Sequence, residues 1–440
     1  MAIYSARIGQ GTFMKAFFKT YGCRVNQYET QALRERLTQN RFAEVSDDFE
    51  DADLCVINTC TVTEEADQDA LRLIRKINRR NPSAKLIVTG CLAERDPAAI
   101  QSAAPGALIV GNQDKKNIPS LIGCSSAPNF SSITDFWGHS RAFVKIQDGC
   151  DMGCSFCIIP SIRPNLSSRP FEEISSEIQG LLKNRCPEIV LCGIRLGRYL
   201  SKDSASRRID FVGLLERLLE LPGDFRIRLS SLEITDVTDR FIALLARSGG
   251  KIAPSLHLPL QSGSDKTLKE MGRWYTTSFY RRRLEALREK VPQCAVFSDV
   301  MAGFPGESEA DFEESLRFIA DMKFSGLHPF RYSFRPGTAA EKRADHLPEK
   351  TILSRAESLR ALDRQLRTDF ASHSVGSVSR VVVEGRPGKP EGLCENFLSV
   401  SLDHYPGPGF AWVRIHSSKD LDAFAEVLPQ RAHENFPIVR

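Results

Sequence analysis

Apolar and polar positions along residues 14 to about 125 repeat in the order strand, helix, strand, helix, strand. The apolar runs MKAFFKTY, DLCVIN and KLIVTG have the length and composition of buried strands. Between them, 27–40 and 64–80 carry apolar residues at helical spacing. Strands that alternate with helices form parallel sheets. We therefore predict an α/β protein that begins with a parallel βαβ domain.

A second and longer alternation follows. Six segments have strand character, namely AFVKIQ, EIVLCG, FRIRLSS, SLHLPL, AVFSDV and GLHPFRYS. Helical patterns separate them, at 171–184, 210–220, 238–247, 278–290 and 308–322. Six βα units are too few to close the usual eight-stranded barrel. We predict a partial, open (β/α)6 barrel with its site at the carboxyl ends of the strands.

The C-terminal part of the chain has a third pattern. A helical segment near 354–371 precedes VSRVVVE, ENFLSVSLD and FAWVRIH, which are short alternating runs separated by Gly and Pro. This pattern is typical of a small antiparallel β-barrel. The predicted organisation is an extension at 1–13, an N-terminal domain at 14–124, a linker at 125–138, the open barrel at 139–372 and the terminal barrel at 373–440.

Composition narrows the class of protein. The 440 residues are 42% hydrophobic and 26% charged, which is ordinary for a globular protein and excludes the disordered class. The sequence has neither a membrane-span pattern nor a signal-peptide pattern, so we expect a cytoplasmic protein. A net charge of +4 permits RNA binding without predicting it. Twelve cysteines then indicate metal ligands, catalytic thiols or buried apolar residues rather than disulfides.

The strongest chemical signal is the segment QDGCDMGCSFCIIP, directly after the first predicted barrel strand. Cys150, Cys154 and Cys157 stand there in Cys-x3-Cys-x2-Cys spacing. Three thiolates on one short loop can each bind one iron of a cubane cluster and leave the fourth iron open. An open iron can chelate S-adenosylmethionine and reduce its sulfonium to give a 5′-deoxyadenosyl radical. A zinc site or a redox thiol cluster is the alternative, but zinc needs a fourth ligand, and none lies close in sequence.

Four further positions follow predicted barrel strands, where cofactor contacts are expected. Gly193 allows the backbone to approach methionine polar atoms, and Glu233 is a candidate acceptor for a ribose hydroxyl. Gln261 in PLQSGS and Asp299 in SDVMAGFPGE complete the predicted S-adenosylmethionine site. Each alone is an ordinary loop feature, and their joint order along the chain supports the prediction.

A second set of cysteines follows the three N-terminal strand runs. Cys23, Cys60 and Cys91 each come just after one run, and the carboxyl ends of parallel strands meet at one edge of a sheet. A second cluster with an open iron is one interpretation, and buried apolar cysteines are the other. The remaining cysteines have no such arrangement: Cys55, Cys124, Cys186, Cys192, Cys294 and Cys394.

Several phrases together closely resemble the methylthiotransferase family of radical S-adenosylmethionine enzymes. They are YGCRVNQYETQALRERL, ADLCVINTCTVTEEAD, KLIVTGCLAERDP, DGCDMGCSFCIIP and HLPLQSGSDKTLKEMGRWYT. The family has branches that act on isopentenyladenosine in tRNA, on threonylcarbamoyladenosine in tRNA and on an aspartate of a ribosomal protein. The phrases GCRVNQYE and INTCTVTEEAD are most similar to the threonylcarbamoyladenosine branch, whose target lies beside the anticodon.

The resemblance implies a set of cofactors and partners. Cys150, Cys154 and Cys157 would bind the radical-generating [4Fe-4S] cluster, and the N-terminal cysteines a second, sulfur-handling [4Fe-4S] cluster. S-adenosylmethionine would supply both a radical and a methyl group, tRNA would be the macromolecular partner, and an electron donor and a sulfur source are required. The adenine C2 hydrogen is not acidic, so its removal calls for a radical rather than a side-chain base.

RNA contacts are expected in two regions. Relatives usually have an Arg-Gly pair soon after the cysteine loop, whereas this chain has PSIRPNLSSRP, which offers Arg163 and Arg169. The terminal barrel would correspond to the family's RNA-binding TRAM module. Its basic candidates are Arg380, Arg386, Lys389 and Arg414, and its aromatic candidates are Phe397, Tyr405, Phe410 and Trp412. For Trp412 and Phe397, filling a small core is the alternative.

Three functions compete at this point. The resemblance favours a sulfur-transferring tRNA methylthiotransferase for threonylcarbamoyladenosine. The same chemistry on isopentenyladenosine or on a ribosomal protein is the alternative within the enzyme class. A non-catalytic iron–sulfur protein that binds RNA or senses redox state is the third, and the S-adenosylmethionine segments argue against it because a sensor does not need them.

Overall fold

The computed structural model describes residues 14–39, 42–44, 48–124, 132–136 and 139–429. The chain forms two compact units, Met1–Ile133 and Thr134–Arg440. The predicted extension at 1–13 and most of the predicted linker lie outside the described residues.

The N-terminal unit contains a five-stranded parallel sheet in the order β2-β1-β3-β4-β5. Its strands are β1 Met14–Thr20, β2 Phe42–Glu44, β3 Leu54–Thr59, β4 Lys85–Gly90 and β5 Leu108–Val110. Its helices are α1 Arg24–Thr38, α2 Glu64–Arg80, α3 Cys91–Arg95, α4 Pro97–Ala103 and α5 Ile118–Leu121. The predicted parallel sheet is confirmed, and two three-residue strands extend it at its edges.

Successive apolar side chains of β1 point to opposite faces of the sheet, and each face packs against a helix. Ala16 and Phe18 pack into the core that contains Leu33 of α1, whereas Phe17 packs into the core that contains Ile74 of α2. The central strand β3 is buried along its whole length. A parallel sheet with both faces covered requires such continuous apolar strands.

The second unit begins with the predicted open barrel. Its strands are β6 Arg141–Asp148, β7 Ser167–Ser168, β8 Glu188–Gly193, β9 Leu200–Lys202, β10 Arg208–Asp210, β11 Arg226–Leu229, β12 Ser255–His257, β13 Ala295–Ala302 and β14 Gly326–Arg331. Its helices are α6 Ile159–Ile162, α7 Phe171–Lys183, α8 Phe211–Leu219, α9 Asp239–Arg247, α10 Asp265–Glu270, α11 Thr277–Lys290, α12 Glu309–Met322 and α13 Glu349–His373.

Six of these strands run parallel in the order β6, β8, β11, β12, β13, β14. Two sheets, β6-β8-β11 and β12-β13-β14, are joined by parallel bridges between Ile227 and Ile252 and between Ser231 and His257. Within the described residues β14 does not pair with β6, so the barrel is open between its first and last strands. The predicted partial (β/α)6 barrel is confirmed.

The chain ends in a closed five-stranded barrel in the order β15-β16-β17-β19-β18. Its strands are β15 Val378–Val383, β16 Glu391–Leu393, β17 Ser399–Leu402, β18 Gly409–Lys419 and β19 Asp422–Val427. The predicted terminal β-barrel is confirmed. The pairing is mainly antiparallel, with one parallel pair between β17 and β19.

Buried charges join this terminal barrel to the open barrel. Glu188, at the start of β8, is fully buried and accepts hydrogen bonds from Arg226 at 2.5 Å and Arg228 at 2.7 Å. The same guanidinium groups donate to main-chain carbonyls of the terminal barrel, those of Arg380, Leu393, Cys394 and Glu395. Burial raises the pKa of Glu188, but Arg228 and Arg226 outweigh it and lower the pKa to about 2.

No helix among the described residues combines the length and the apolar character that crossing a membrane requires.

Candidate functional site

The cysteine loop starts directly after β6 and is fixed by main-chain contacts. Cys150 N donates to the carbonyl of Arg163 at 3.0 Å, and Cys157 N donates to the carbonyl of Cys154 at 3.1 Å. Gly149 has φ +82°, and a Cβ there would lie 2.1 Å from the carbonyl oxygen of Asn165. The glycine before the first cysteine is therefore required by both conformation and space.

The three thiols of this loop lie close enough to influence one another. Burial, with smaller contributions from the thiols of Cys154 and Cys150, raises the pKa of Cys157 to about 12. Burial also raises the pKa of Cys150. A metal ligand must be the thiolate, so binding of iron here is coupled to release of protons.

The predicted S-adenosylmethionine residues surround the same end of the open barrel. Gly193 ends β8 beside Gln147, and a Cβ at Gly193 would lie 3.1 Å from Gln147 Cβ. Glu233 follows β11 and pairs with the guanidinium of Arg273. Gln261 follows β12 with φ +72°, and its buried Oε1 has no hydrogen-bond partner within the described residues. An unpartnered buried acceptor fits a site that is completed by a ligand.

Asp299 has a different neighbourhood from the one expected. It lies inside β13 rather than after it, and its Oδ1 is 2.8 Å from Nε2 of His257. Nδ1 of His257 is 2.5 Å from Oγ of Ser231, and the rings of His257 and His328 are 5.2 Å apart. The sequence reasoning missed this hydrogen-bonded row of Asp299, His257 and Ser231 because its members lie in or after three different strands, β13, β12 and β11.

Arg195 and Arg273 were also missed as site residues. Arg273 Nη1 donates to Cys154 Sγ at 3.3 Å, and Arg195 Nε donates to Met152 Sδ at 3.0 Å. Arg273 lies inside the phrase HLPLQSGSDKTLKEMGRWYT, and Arg195 stands two residues after the strand run EIVLCG. The position of each arginine, inside or directly after a segment already assigned to the site, was the signal in the sequence that could have identified it.

The three N-terminal cysteines collect at the carboxyl edge of the first sheet. Cys23 is the residue before α1, Cys60 follows β3 and Cys91 is the first residue of α3. Asn26 Nδ2 donates to the carbonyl oxygens of Tyr21 and Thr59, which ties the start of α1 to the end of β3. The sequence-predicted gathering of these cysteines is therefore present in the fold.

Cys60 is buried next to the other two thiols of this group. Burial, with smaller contributions from the thiols of Cys91 and Cys23, raises the pKa of Cys60 to about 12. Gly22 has φ +89°, and a Cβ on it would lie 2.6 Å from Cys60 Cβ. The neighbouring hydroxyl of Thr61 is buried without a hydrogen-bond partner in the described part of the chain. A buried polar atom without a partner, on the residue after Cys60, is unusual in an apolar core.

Within the described ranges, no three Cys, His, Asp or Glu side chains are already spaced as the ligands of a single metal ion. A cubane cluster takes each thiolate on a different iron, so its ligands need not converge on one point. The remaining six cysteines are all buried: Cys55, Cys124, Cys186, Cys192, Cys294 and Cys394.

The arginines expected to contact RNA near the cysteine loop are occupied within the protein. The side chain of Arg163 is 2% exposed and donates to both carboxylate oxygens of Asp148 at 2.9 and 3.0 Å. Arg169 pairs with the buried carboxylate of Glu177 at 2.6 Å. These contacts support the strand ends and argue against direct binding of phosphate by Arg163 and Arg169.

In the terminal barrel, the basic candidates divide into two groups. Arg380 pairs with Asp224 and lies 3.8 Å from the ring centroid of Phe410, so it belongs to the junction with the open barrel. Arg414 pairs with Glu426 at 3.0 Å on the barrel surface. Arg386 and Lys389 are exposed at the two ends of a tight turn.

Comparisons with known proteins agree with this geometry. Residues 15–111 match a family described as "Uncharacterized protein family UPF0004", and residues 144–319 match the Radical SAM superfamily. The fold is similar to that of the radical S-adenosylmethionine methyltransferase TsrM from Kitasatospora setae, with a TM-score of 0.55 and 12% identity over 79% of this chain and 85% of that chain. The fold and the cysteine loop define a radical S-adenosylmethionine protein.

Comparison with relatives of curated name identifies the family within the radical S-adenosylmethionine proteins. The "Threonylcarbamoyladenosine tRNA methylthiotransferase MtaB" of Bacillus subtilis (strain 168) is 40% identical over 87% of this chain and 89% of its own length. The protein of the same name from Chlamydia pneumoniae is 38% identical over 84% and 86%. The "tRNA-2-methylthio-N(6)-dimethylallyladenosine synthase" of Bordetella avium (strain 197N) is 34% identical over 88% and 86%. The chain belongs to the radical S-adenosylmethionine methylthiotransferase family.

Proposed function

We propose that this protein is a tRNA methylthiotransferase that converts threonylcarbamoyladenosine beside the anticodon to its 2-methylthio derivative. The observation that carries the proposal is the second cysteine set, Cys23, Cys60 and Cys91, gathered at one sheet edge in a chain that also has the loop of Cys150, Cys154 and Cys157. One cluster suffices to generate a radical, and a second, sulfur-bearing cluster suits insertion of sulfur. The relatives named MtaB support threonylcarbamoyladenosine as the substrate. We further propose that the protein acts in the cytoplasm, where it would meet a tRNA substrate.

Different residues of the chain have different roles in the proposed reaction. When bound, two [4Fe-4S] clusters and S-adenosylmethionine would supply the electron, the radical, the sulfur and the methyl group. Cys150, Cys154 and Cys157 would hold the first cluster, and Gly193 and Gln261 would offer backbone space and a free acceptor to S-adenosylmethionine. An electron donor and a sulfur source complete the reaction and are separate molecules.

The substrate is tested by mass spectrometry of tRNA nucleosides from cells that lack the gene and from cells complemented with the wild-type, Cys154→Ala or Cys60→Ala protein. We expect 2-methylthio-threonylcarbamoyladenosine to disappear with the gene and to return only with the wild-type protein. Loss of the methylthio group from dimethylallyladenosine instead would assign the protein to the substrate of its Bordetella relative. No change in either nucleoside would refute a tRNA substrate.

The number of clusters is tested separately by iron analysis of the full chain after anaerobic reconstitution. We expect about eight irons per chain, falling to about four when Cys23, Cys60 and Cys91 are all replaced by alanine. The matched control replaces three buried cysteines outside both sets, Cys55, Cys192 and Cys294, and should leave the iron count at about eight. An unchanged count in the first variant would remove the second cluster.

A further inference from the structure

One short turn after β11 presents two carboxylates in fixed positions. Residues Ile234–Asp236 form a single 3-10 turn whose preceding residue is Glu233. The side chain of each acid accepts a hydrogen bond from the backbone N–H of the other. This reciprocal capping holds Glu233 and Asp236 at a set separation before either contacts another side chain.

Glu233 holds a buried arginine against the cysteine loop. The side chain of Arg273 is 3% exposed and pairs with Glu233, while its Nη1 donates to Cys154 Sγ at 3.3 Å. Its Nε donates to Tyr275 Oη at 3.2 Å, and that hydroxyl donates to the carbonyl of Leu260 at 2.8 Å. All three nitrogens of the guanidinium group therefore have partners, and these contacts fix the orientation of its plane.

The backbone beside Arg273 is pressed onto the same loop. Ser155 N donates to the carbonyl of Met271 at 2.9 Å. Gly272 has φ +71°, and a Cβ on it would lie 2.6 Å from the carbonyl oxygen of Gly153. Arg273 therefore approaches Cys154 from a segment that is already in contact with the loop.

Asp236 holds a second buried arginine on another part of the loop. The side chain of Arg195 is 7% exposed and pairs with Asp236, while its Nε donates to Met152 Sδ at 3.0 Å. Its backbone N donates to Gln147 Oε1 at 2.7 Å. Arg195 contacts a thioether between the first and second cysteines but donates no hydrogen bond to a thiol, in contrast to Arg273.

We propose that these four residues, Glu233, Asp236, Arg195 and Arg273, form an arginine clamp that positions the cysteine loop, and that Arg273 tunes the reduction potential of the cluster held there. The proposal rests on the proposed function in assuming that the loop holds an iron–sulfur cluster. A hydrogen bond and a positive charge at a ligand sulfur favour the reduced, more negative cluster and raise its potential. Both arginines are positioning residues; Arg273 donates a hydrogen bond to a ligand sulfur, whereas Arg195 acts on the thiol of Cys150 through its charge alone.

The test is a redox titration of the loop cluster, monitored by electron paramagnetic resonance. The full chain carries alanine at positions 23, 60 and 91, so that the signal comes from the loop of Cys150, Cys154 and Cys157. We expect Arg273→Gln to lower the equilibrium constant for reduction of the cluster about tenfold, which lowers its reduction potential by about 59 mV for a one-electron couple. Arg273→Lys should lower the potential less because the positive charge is kept. Arg195→Gln is the matched control and should lower iron retention with a smaller shift in potential.

A double variant separates the electronic role of Arg273 from its structural role. Arg273→Gln alone leaves the carboxylate of Glu233, which is 12% exposed, without its arginine partner and so disturbs the loop, whereas Arg273→Gln with Glu233→Gln removes both charges. We expect the double variant to hold more iron than Arg273→Gln alone, but less than the parent protein, and still to show the lowered potential. A wild-type potential in the double variant, or an equal shift in Arg195→Gln, would overturn the tuning role. Iron retention at the parent level in both Arg273→Gln and Arg195→Gln would overturn the clamp.

These outcomes do not depend on tRNA. If the alanine substitutions at positions 23, 60 and 91 leave the iron count unchanged, the two-cluster proposal fails. The comparison of Arg273 with Arg195 still stands, because each variant is compared with the same parent protein.

Discussion

Phe397 of the terminal barrel packs edge-on against Phe297 of the open barrel, with ring centroids 5.5 Å apart. Phe297 lies in β13, two residues before Asp299, and also contacts Phe370 of α13 at 6.1 Å. Phe397 adopts φ +72°, a conformation that non-glycine residues rarely take without support from their surroundings. A residue expected either to stack on RNA or to fill the core of its own barrel therefore contributes to the junction between two barrels.

Replacing Phe297 by alanine should release the terminal barrel from the open barrel. Phe297 is 5% exposed, so the substitution removes a buried ring and should lower the free energy of unfolding by about 3 to 5 kcal/mol. Hydrogen exchange should then increase in β15–β19. Phe241→Ala is the control, because Phe241 is equally buried and stacks on Phe211, away from the junction. If both variants increase exchange in β15–β19 alike, the aromatic contact does not hold the terminal barrel.

The buried carboxylate of Glu188 should make the junction sensitive to acid. Its pKa lies at about 2 in the folded protein against an ordinary 4.5, so the ionised form stabilises the fold above pH 4.5 by about 3 kcal/mol. That stabilisation is lost as pH falls from 4.5 towards 2. We expect the difference in Tm between wild type and Glu188→Gln to be largest at neutral pH and to shrink across this window.

Glu426→Gln is the control for the Glu188 experiment. Glu426 pairs with Arg414 at 3.0 Å, but its side chain is 45% exposed, and surface pairs contribute about 0 to 1 kcal/mol. Calorimetry from pH 7 downwards measures both variants. A difference for Glu188→Gln that does not vary with pH would contradict the ionised, arginine-paired carboxylate.

The turn between β15 and β16 should contribute to RNA binding. In the segment Arg386-Pro387-Gly388-Lys389, Gly388 has φ +90°, which places proline and glycine where a type II turn needs them. The turn presents two exposed basic side chains. Replacing both by glutamine should weaken binding of an anticodon stem-loop RNA and reduce the slope of log K against log salt by about one per lost phosphate contact.

Fluorescence anisotropy over a salt series measures this effect. Arg360→Gln is the control, because Arg360 is an exposed arginine on α13 that pairs with Glu357 at 3.1 Å. An equal loss of RNA affinity for the control would mean that general positive charge, rather than the turn, attracts the RNA.

The sequence was sufficient for the elements whose pattern is long enough to recognise. The strands β1, β3 and β4 each contain an apolar run, and the helical pattern predicted at 308–322 corresponds to α12, which begins with a capping box between Ser308 and Asp311. The strands β2 and β5 have three residues each, too few for a periodic pattern. The cysteine loop was found because its ligands are neighbours in sequence.

Ion pairs between distant segments could not be predicted in the same way. Arg273 meets Glu233 across 40 positions of sequence and Cys154 across 119, and no local pattern encodes either contact. The same holds for Arg163, whose charge suggested RNA binding but whose partner Asp148 lies on the preceding strand. Charge is visible in the sequence, whereas burial and pairing depend on the fold.

Gly22→Ala should remove the second cluster without changing any cysteine. Gly22 has φ +89°, and the new Cβ would lie 2.6 Å from Cys60 Cβ and 2.7 Å from Cys60 Sγ, so Cys60 must move. We expect iron to fall from about eight to about four per chain, as in the triple-cysteine variant. Gly250→Ala is the control, since Gly250 has φ +81° but open space around its Cα, and it should show the same backbone strain with full iron. If Gly22→Ala keeps about eight irons, the site tolerates displacement of Cys60 and that thiol is not a ligand, because a ligand sulfur cannot leave its iron and keep the cluster.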